Sequence, residues 1–501
     1  MKAVIYNLNN YTSSLNTAIS DSVMRSSSNY VEKLLSMKPN IYIGGKRVGR
    51  DFKAFQPGIK TISMTYQLAE SSGFKDLITT ESHLTGERIN RFTHICQNPD
   101  DLLKKQEMIR RTCQIVGRCI QRCMGCDAIN ALSVVTREVD DKYGTDYYKR
   151  FLKYLYVFQK EDLTAACAQT DVKGDRSLRP FQQHDPDLYL RVVGKTKDGI
   201  IVRGAKTHIT IAPYADEIIA LPTRAMTEKD SEYAVAFAIP ADWDGVKLIT
   251  VSHGHRERKE LKAPITEYSA SHSMVVFDDV LVPWDRVFMC GEWEFAGRLA
   301  MLFATYHRHS YTGCKPAMTD ILMGAAALAA EYNGIEGAHH VRDKLADMVA
   351  TAELVYAAGI ASAVKGVKAS SGTFIPNIVY ANVGRYYAGI KIYSEFEVVA
   401  DIAGGIAATV PYEEDYLNPE VRKYIEKYIA RKKDIPPEHI YRCFKFIQDL
   451  ICSAPAAASQ ISGVHGGGSP IMERITIMAN YDIASKKKIA KYLAGIEELT
   501  I

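Results

Sequence analysis

No stretch of this chain approaches the roughly 20 apolar residues that a membrane-spanning helix needs. Residues 1–29, rich in Ser and Asn, hold no apolar signal core. An excess of one charge is equally missing. The 62 Lys and Arg face 58 Asp and Glu, so nothing points to nucleic acid or an anionic membrane surface as a partner. Ten cysteines in 501 residues do not make a disulfide scaffold. There is no Walker loop, no dinucleotide fingerprint, no repeat and no low-complexity tract. The setting these absences predict is cytoplasmic, with reduced thiols available as ligands. A chain of this length, 47% apolar, has room for two or three domains and a large core.

Hydrophobic periodicity divides the chain into an extension over 1–29, a helical domain over 30–150, a middle β domain over 151–290 and a helical bundle over 291–501. In the first domain, Tyr30-Val-Glu-Lys-Leu-Leu-Ser reads as a short amphipathic helix and Ile41 to Val48 as a hairpin with a glycine turn. Asn98-Pro-Asp-Asp caps a long helical run, Leu102 to Asn130. The period then shifts toward two. Leu188 to Val193, Gly199 to Gly204, Ala234 to Ile239 and Ser273 to Phe277 read as strands of an antiparallel barrel or sandwich. Helices return over Phe295 to Tyr332, His340 to Lys365, Asn377 to Val399, His439 to Ser459 and Ser485 to Leu499. This helix–sheet–helix order predicts an α+β protein.

Two clusters stand out on this frame. Cys119 and Cys123 are four apart in a helical run, and His307, Tyr311 and Cys314 fall at i, i+4 and i+7 in another. Each set is expected on one helix face. Three thiolates and an imidazole could close an iron–sulfur cluster or a zinc site. Cysteines at helical spacing also serve simply to fill a core, and spacing alone leaves both readings open. Gln169-Thr170-Asp171-Val-Lys173-Gly174-Asp175-Arg176 reads as a tight turn where helix gives way to strand, fit for a cofactor ring or phosphate, or for nothing beyond a surface loop. His208 and Thr210 fall at a strand end. The glycine turns at Asp401 to Gly405 and Val464 to Pro470 lie beside helices, where amides favour anions.

Taken together, Cys119-Ile-Gln-Arg-Cys123-Met-Gly-Cys-Asp-Ala-Ile-Asn, Asp171-Val-Lys-Gly-Asp-Arg, Val202-Arg-Gly-Ala-Lys, Tyr306-His-Arg-His-Ser-Tyr-Thr-Gly-Cys-Lys315 and Asp401-Ile-Ala-Gly-Gly resemble the 4-hydroxyphenylacetate 3-hydroxylase family from about Ser27 onward. Flavin-only hydroxylases are not expected to carry the Cys/Cys/His/Cys set, so the resemblance points to the family's 4-hydroxybutyryl-CoA dehydratase branch. That branch implies an acyl-CoA-dehydrogenase-like fold, a homotetramer, a [4Fe–4S] cluster, FAD and an acyl-CoA substrate. It implies Cys119, Cys123, His307 and Cys314 as cluster ligands. It places Gln169, Thr170, Asp171, Lys173, Gly174, Asp175, Arg176, His208 and Thr210 at the flavin, with Asp401, Gly404 and Gly405 in a cofactor-contacting turn. Tyr311 and Lys315 match active-site positions.

The implied chemistry is the loss of water from a 4-hydroxyacyl thioester through a flavin-coupled ketyl radical, which makes the unactivated C3 proton acidic enough to remove. A cluster iron helps the hydroxyl leave. Related outcomes are vinylacetyl-CoA isomerisation, dehydration of another acyl-CoA, or FADH2-dependent hydroxylation of an aromatic ring. Two departures stand out: His272 and Ser462 take positions where the branch carries glutamates. Imidazole still moves protons, so His272 joins the catalytic candidates; serine at its ordinary pKa does not.

Overall fold

The computed structural model describes residues 24–254, 258–261 and 267–497. Most of the expected extension (residues 1–23) and the last two positions of the helix expected over Ser485 to Leu499 lie outside the described residues. The chain divides into two compact units: residues 1–95, 121–252 and 270–297 form one, and 96–120, 253–269 and 298–501 the other.

The first unit is built on two sheets. Six strands run in the order Lys46–Val48, Ile41–Ile43, Val246–Ser252, Ser271–Pro283, Gly199–Thr210, Arg191–Lys195. Four more run in the order Val287–Cys290, Val235–Pro240, Glu217–Ala220, Ala165–Ala168. The strand Val235–Pro240 is buried at five of its six positions, and the edge-to-face rings of Phe237 and Phe277, 5.6 Å apart, join the two sheets. Pairing is mostly antiparallel, as the alternating pattern implies. Two junctions are parallel: Ile41–Ile43 on Val246–Ser252, and Ala165–Ala168 on Glu217–Ala220. The early hairpin is therefore an edge of the larger sheet, a long-range pairing that no local pattern announces.

Helices Ser27–Ser36, Gln56–Glu70, Cys123–Tyr143 and Tyr147–Lys160 complete this unit. The start of Cys123–Tyr143 is pinned by Arg122, whose buried guanidinium lies 2.5 Å from Asp162 Oδ1, donates to Thr65 Oγ1 and sits 4.2 Å from the Tyr66 ring centroid. Breaking such a buried pair costs about 3–5 kcal/mol, so the backbone at Cys123 is firmly held.

The second unit is helical. Its core is Ala325, Ala326, Ala329 and Ala330 packed with Val399, Ile402, Phe444 and Ile447. The alanines lie on the long helix Trp293–Asn333, and Val399 and Ile402 on Ile378–Ala403. Pro99–Val116 begins as its sequence dictates, with Asn98 accepting from the Asp101 amide and Pro99 at the first helical position. One absence read from the sequence is corrected: helix His339–Val364 is long and apolar enough by composition to cross a membrane, though it packs against Ile378–Ala403 and Pro99–Val116.

Two helical expectations need correction. The run Leu102 to Asn130 is not one helix. Pro99–Val116 ends at Gly117, left-handed at φ 72°, and the next helix begins at Cys123. Cys119 and Cys123 therefore share no helix face. Likewise the run His439 to Ser459 breaks into Pro437–Ile451 and Ala454–His465, the second opened by the Ser453 cap with proline behind it.

Candidate active site

The second helical unit gathers most of the chemistry. His307, Tyr311, Cys314 and Lys315 lie within two turns of helix Trp293–Asn333, as their spacing predicts. The His307 ring stacks on Phe303, with centroids 5.7 Å apart and planes 6° from parallel. Its other boundary is the turn at Gly467: a Cβ built there would lie 3.0 Å from His307 Cδ2, at a backbone φ of 77°. Glycine is thus required there twice over, for conformation and for space.

Tyr311 is fixed from two sides. Its hydroxyl donates to the Gly463 carbonyl at 2.7 Å, and the Arg385 guanidinium lies 4.2 Å from its ring centroid. Burial pushes the phenol well above its ordinary range; Arg385 opposes this, while Cys314, Cys119 and Glu395 add to it. The phenol stays protonated at neutral pH and acts as a hydrogen-bond donor. Cys314 and Cys119 both act on Tyr311 electrostatically, so the two thiols share its neighbourhood. Cys314 is buried, and Cys119 is half-buried in the segment between the two helices. That segment is tied back to Pro99–Val116 through the Ile120 amide, which donates to Cys113 Sγ at 3.4 Å.

Lys315 makes a buried ion pair with Glu395, each side chain 3% exposed, and Thr319 donates to the other Glu395 oxygen at 2.9 Å. Glu395 belongs to helix Ile378–Ala403 and was not a candidate from sequence, because its pairing spans 80 residues. Arg385, on the same helix, was also missed. It donates to the carbonyls of Gly466, Val464 and Gly468 at 2.9, 2.8 and 3.1 Å. The glycine turn after Val464 thus spends its carbonyls on a buried cation. Ser462, in the last turn of Ala454–His465, is exposed.

Cys123 opens its helix in the sheet-bearing unit, where it is buried. Only Ile120, Gln121 and Arg122 separate it from Cys119, which caps the distance between the two Cα atoms at about 14 Å.

The Gln169 to Arg176 turn follows strand Ala165–Ala168 in the first unit. Lys206 anchors its base, with Nζ 2.6 Å from Asp171 Oδ1 and 3.0 Å from the Gln169 carbonyl. The Thr223 hydroxyl lies within hydrogen-bond reach of the Gln169 carbonyl and Asp171 Oδ2, sharing its one proton between them, and accepts from the Asp171 amide. The Thr170 carbonyl accepts from the Thr207 amide. Gly174 is left-handed at φ 53°, and a Cβ there would meet Gln183 Oε1 at 2.4 Å. Asp175 accepts from the Ser177 amide and hydroxyl, which holds its carboxyl below the usual range. Arg176 is exposed, and Lys173 and His208 are exposed but partly covered. Burial lowers the Lys173 and His208 pKa values, with Arg176 and Lys173 respectively contributing. Thr210 pairs with His272 across the sheet, Oγ1 to Nδ1 at 3.0 Å.

Asp401, in the helical unit, makes an exposed ion pair with Lys344, which holds its carboxyl low. Gly404, at φ 71°, ends Ile378–Ala403, and Gly405 begins the short helix Ile406–Thr409.

This arrangement, a fixed polar turn on a β unit and a thiol–imidazole–phenol–ammonium group on a helical bundle, defines a class of protein. Residues 26–289 and 296–495 match the 4-hydroxyphenylacetate 3-hydroxylase N-terminal and C-terminal families, and the chain belongs to that family. Within it, the chain is 40% identical over 483 residues to the 4-hydroxybutyryl-CoA dehydratase/vinylacetyl-CoA-Delta-isomerase of Clostridium aminobutyricum, spanning 93% of this chain and 99% of that one. It superposes with a TM-score of 0.90, at 37% identity, on the oxygen-tolerant archaeal 4-hydroxybutyryl-CoA dehydratase of N. maritimus, covering 95% of this chain and 96% of that one. Similarity to the oxygenase component of 4-hydroxyphenylacetate 3-monooxygenase of Thermus thermophilus is lower, 25% over 91% of this chain and 95% of the relative. The α+β, acyl-CoA-dehydrogenase-like fold expected from sequence is the fold observed.

Proposed function

We propose that this chain is a [4Fe–4S]- and FAD-dependent dehydratase of a hydroxyacyl-CoA, of the 4-hydroxybutyryl-CoA to crotonyl-CoA type. The observation that carries the reading is the grouping of His307, Tyr311, Cys314 and Lys315 on one helix, with Cys119 near Tyr311, in a chain far more similar to the dehydratase than to the monooxygenase. Soft thiolates with one imidazole suit an iron–sulfur cluster. Cys119, Cys314 and His307 would hold it, and Cys123, four residues beyond Cys119, would complete the set. The turn from Gln169 to Arg176, with His208 and Thr210, suits FAD: its base is immobilised by Lys206 and Thr223, while Lys173 and Arg176 offer exposed cations. The Asp401 to Gly405 turn is assigned to the cofactor from the resemblance.

When bound, the two groups would supply a Lewis-acidic iron and an electron acceptor. The chain's own residues do the positioning and the proton work. Tyr311, kept protonated, presents a hydrogen-bond donor whose ring is clamped by Arg385. Lys315 keeps a fixed ammonium through Glu395 and Thr319. His307 holds its imidazole between Phe303 and Gly467. His272, oriented through Nδ1 by Thr210, relays a substrate proton.

Vinylacetyl-CoA isomerisation is the second reading, since the dehydratase relative carries both activities in its name. Exposed Ile471, Met472, Ile475, Met478, Tyr492 and Leu493 on the last two helices favour a homo-oligomer, which the resemblance makes a tetramer.

The test is steady-state assay of anaerobically purified protein on a panel of hydroxyacyl-CoA thioesters and vinylacetyl-CoA. Because His272 and Ser462 alter the proton inventory, weaker turnover of 4-hydroxybutyryl-CoA than of a related thioester is expected. General acid–base catalysis contributes about 10²–10⁴-fold, so the preference is measurable. Turnover of 4-hydroxybutyryl-CoA at about 1–10³ s⁻¹ contradicts the altered preference, and inactivity on every thioester contradicts the dehydratase assignment.

A further inference from the structure

We infer that Glu473 is a positioning residue for His307, acting through the two buried arginines that hold the turn from Val464 to Gly468. The part of the inference that concerns catalysis rests on the function proposed above.

Glu473 is fully buried in helix Pro470–Asn480. Among the described residues, no other residue donates a hydrogen bond to either of its side-chain oxygens. A carboxylate so placed is costly unless its charge is needed. Its surroundings supply the need. Arg308 Nε is 3.5 Å away, and Arg385 acts on it electrostatically. These two guanidiniums are themselves buried. Between them they hold four successive-turn carbonyls: Arg308 Nε donates to Gly467 at 3.0 Å, and Arg385 to Val464, Gly466 and Gly468. Arg308 is further tied to Asn382 Oδ1 at 2.6 Å.

The turn cannot move without the cluster. At Gly468, φ 118°, a Cβ would meet Arg308 Nη2 at 2.7 Å and Glu473 Oε1 at 2.8 Å. One residue earlier, Gly467 is the face against which the His307 ring rests. Two adjacent buried cations repel each other strongly in a low-dielectric interior. Glu473 is the carboxylate that offsets this and keeps both arginines on their carbonyls. Its removal frees the turn and loosens the imidazole, one residue before Arg308 on the same helix. Glu473 meets the two arginines rather than His307 itself, so the effect is expected on the geometry of the imidazole.

The test is Glu473→Gln, isosteric but uncharged, beside Glu473→Asp. The expected result is a kcat lowered about 10–100-fold, the range for residues that orient a metal ligand, with KM unchanged. Iron content should hold while the Mössbauer signal of the histidine-bound iron broadens or shifts, and Glu473→Asp should recover part of kcat. Crystal structures should show the Val464 to Gly468 turn and the His307 ring displaced in Glu473→Gln. Unchanged kcat and spectrum, or an unmoved turn, overturns the inference. So does a fall in kcat that tracks loss of folded protein with no rescue by aspartate. If the parent protein holds no cluster, the dehydratase reading fails, and the displacement of turn and ring alone then decides the inference.

Discussion

A Cys314→Ser variant is expected to lose most of its iron and acid-labile sulfide, and its dehydratase turnover by well over 100-fold. Changes to groups that merely orient a metal ligand already cost about 10–100-fold, so loss of a ligand must exceed that. Cys314 faces Tyr311's neighbourhood together with Cys119. The control is Cys443→Ser. Cys443 lies in the apolar core of the same unit, where burial pushes its thiol up to about 12, so it disfavours the thiolate a metal requires. Iron and sulfide should match the parent in that variant. Equal metal content in both variants would remove Cys314 from the ligand set.

The second large effect concerns Lys315. Lys315→Met leaves the Glu395 carboxylate buried beside Thr319, without its cation. Loss of one partner of a buried pair destabilises by about 3–5 kcal/mol, and loss of a proton-handling group lowers turnover by about 10²–10⁴-fold. The double variant Lys315→Met with Glu395→Leu separates the two roles. Denaturant titration should show most of the stability restored, because no uncompensated charge remains, while turnover stays low. Recovery of turnover in the double variant would reduce Lys315 to a structural partner. Undiminished stability in the single variant would mean that the pair carries no net weight.

These residues differ in how far the sequence disclosed them. His307, Tyr311, Cys314 and Lys315 were legible because an unbroken helix converts spacing into a shared face. Cys119 and Cys123 misled for the complementary reason: Gly117, at φ 72°, ends the first helix before either cysteine. That glycine, a common helix terminator, was the available signal. The turn at Asp171 was visible from its Thr, Asp and Gly content, yet its anchor Lys206 faces inward on a strand whose alternate positions are buried, and the pairing spans 35 residues of sequence. Glu395, Arg385 and Glu473 left no local trace at all, since each is explained only by what it meets across the bundle. The helix–sheet–helix order followed from periodicity. The two parallel pairings did not, because strand partners far apart in sequence are set by packing rather than by pattern.

The central claim is that three cysteines and one histidine of this chain hold a single iron–sulfur cluster, and that the chain also binds a flavin. Mössbauer spectroscopy of ⁵⁷Fe-enriched protein purified without oxygen, with flavin released from the same sample, tests it most directly. The account predicts one [4Fe–4S] cluster per chain, with one iron subsite distinct from the other three and FAD as the flavin. Zinc in place of iron, four equivalent iron sites, or protein that holds flavin and no iron contradicts it.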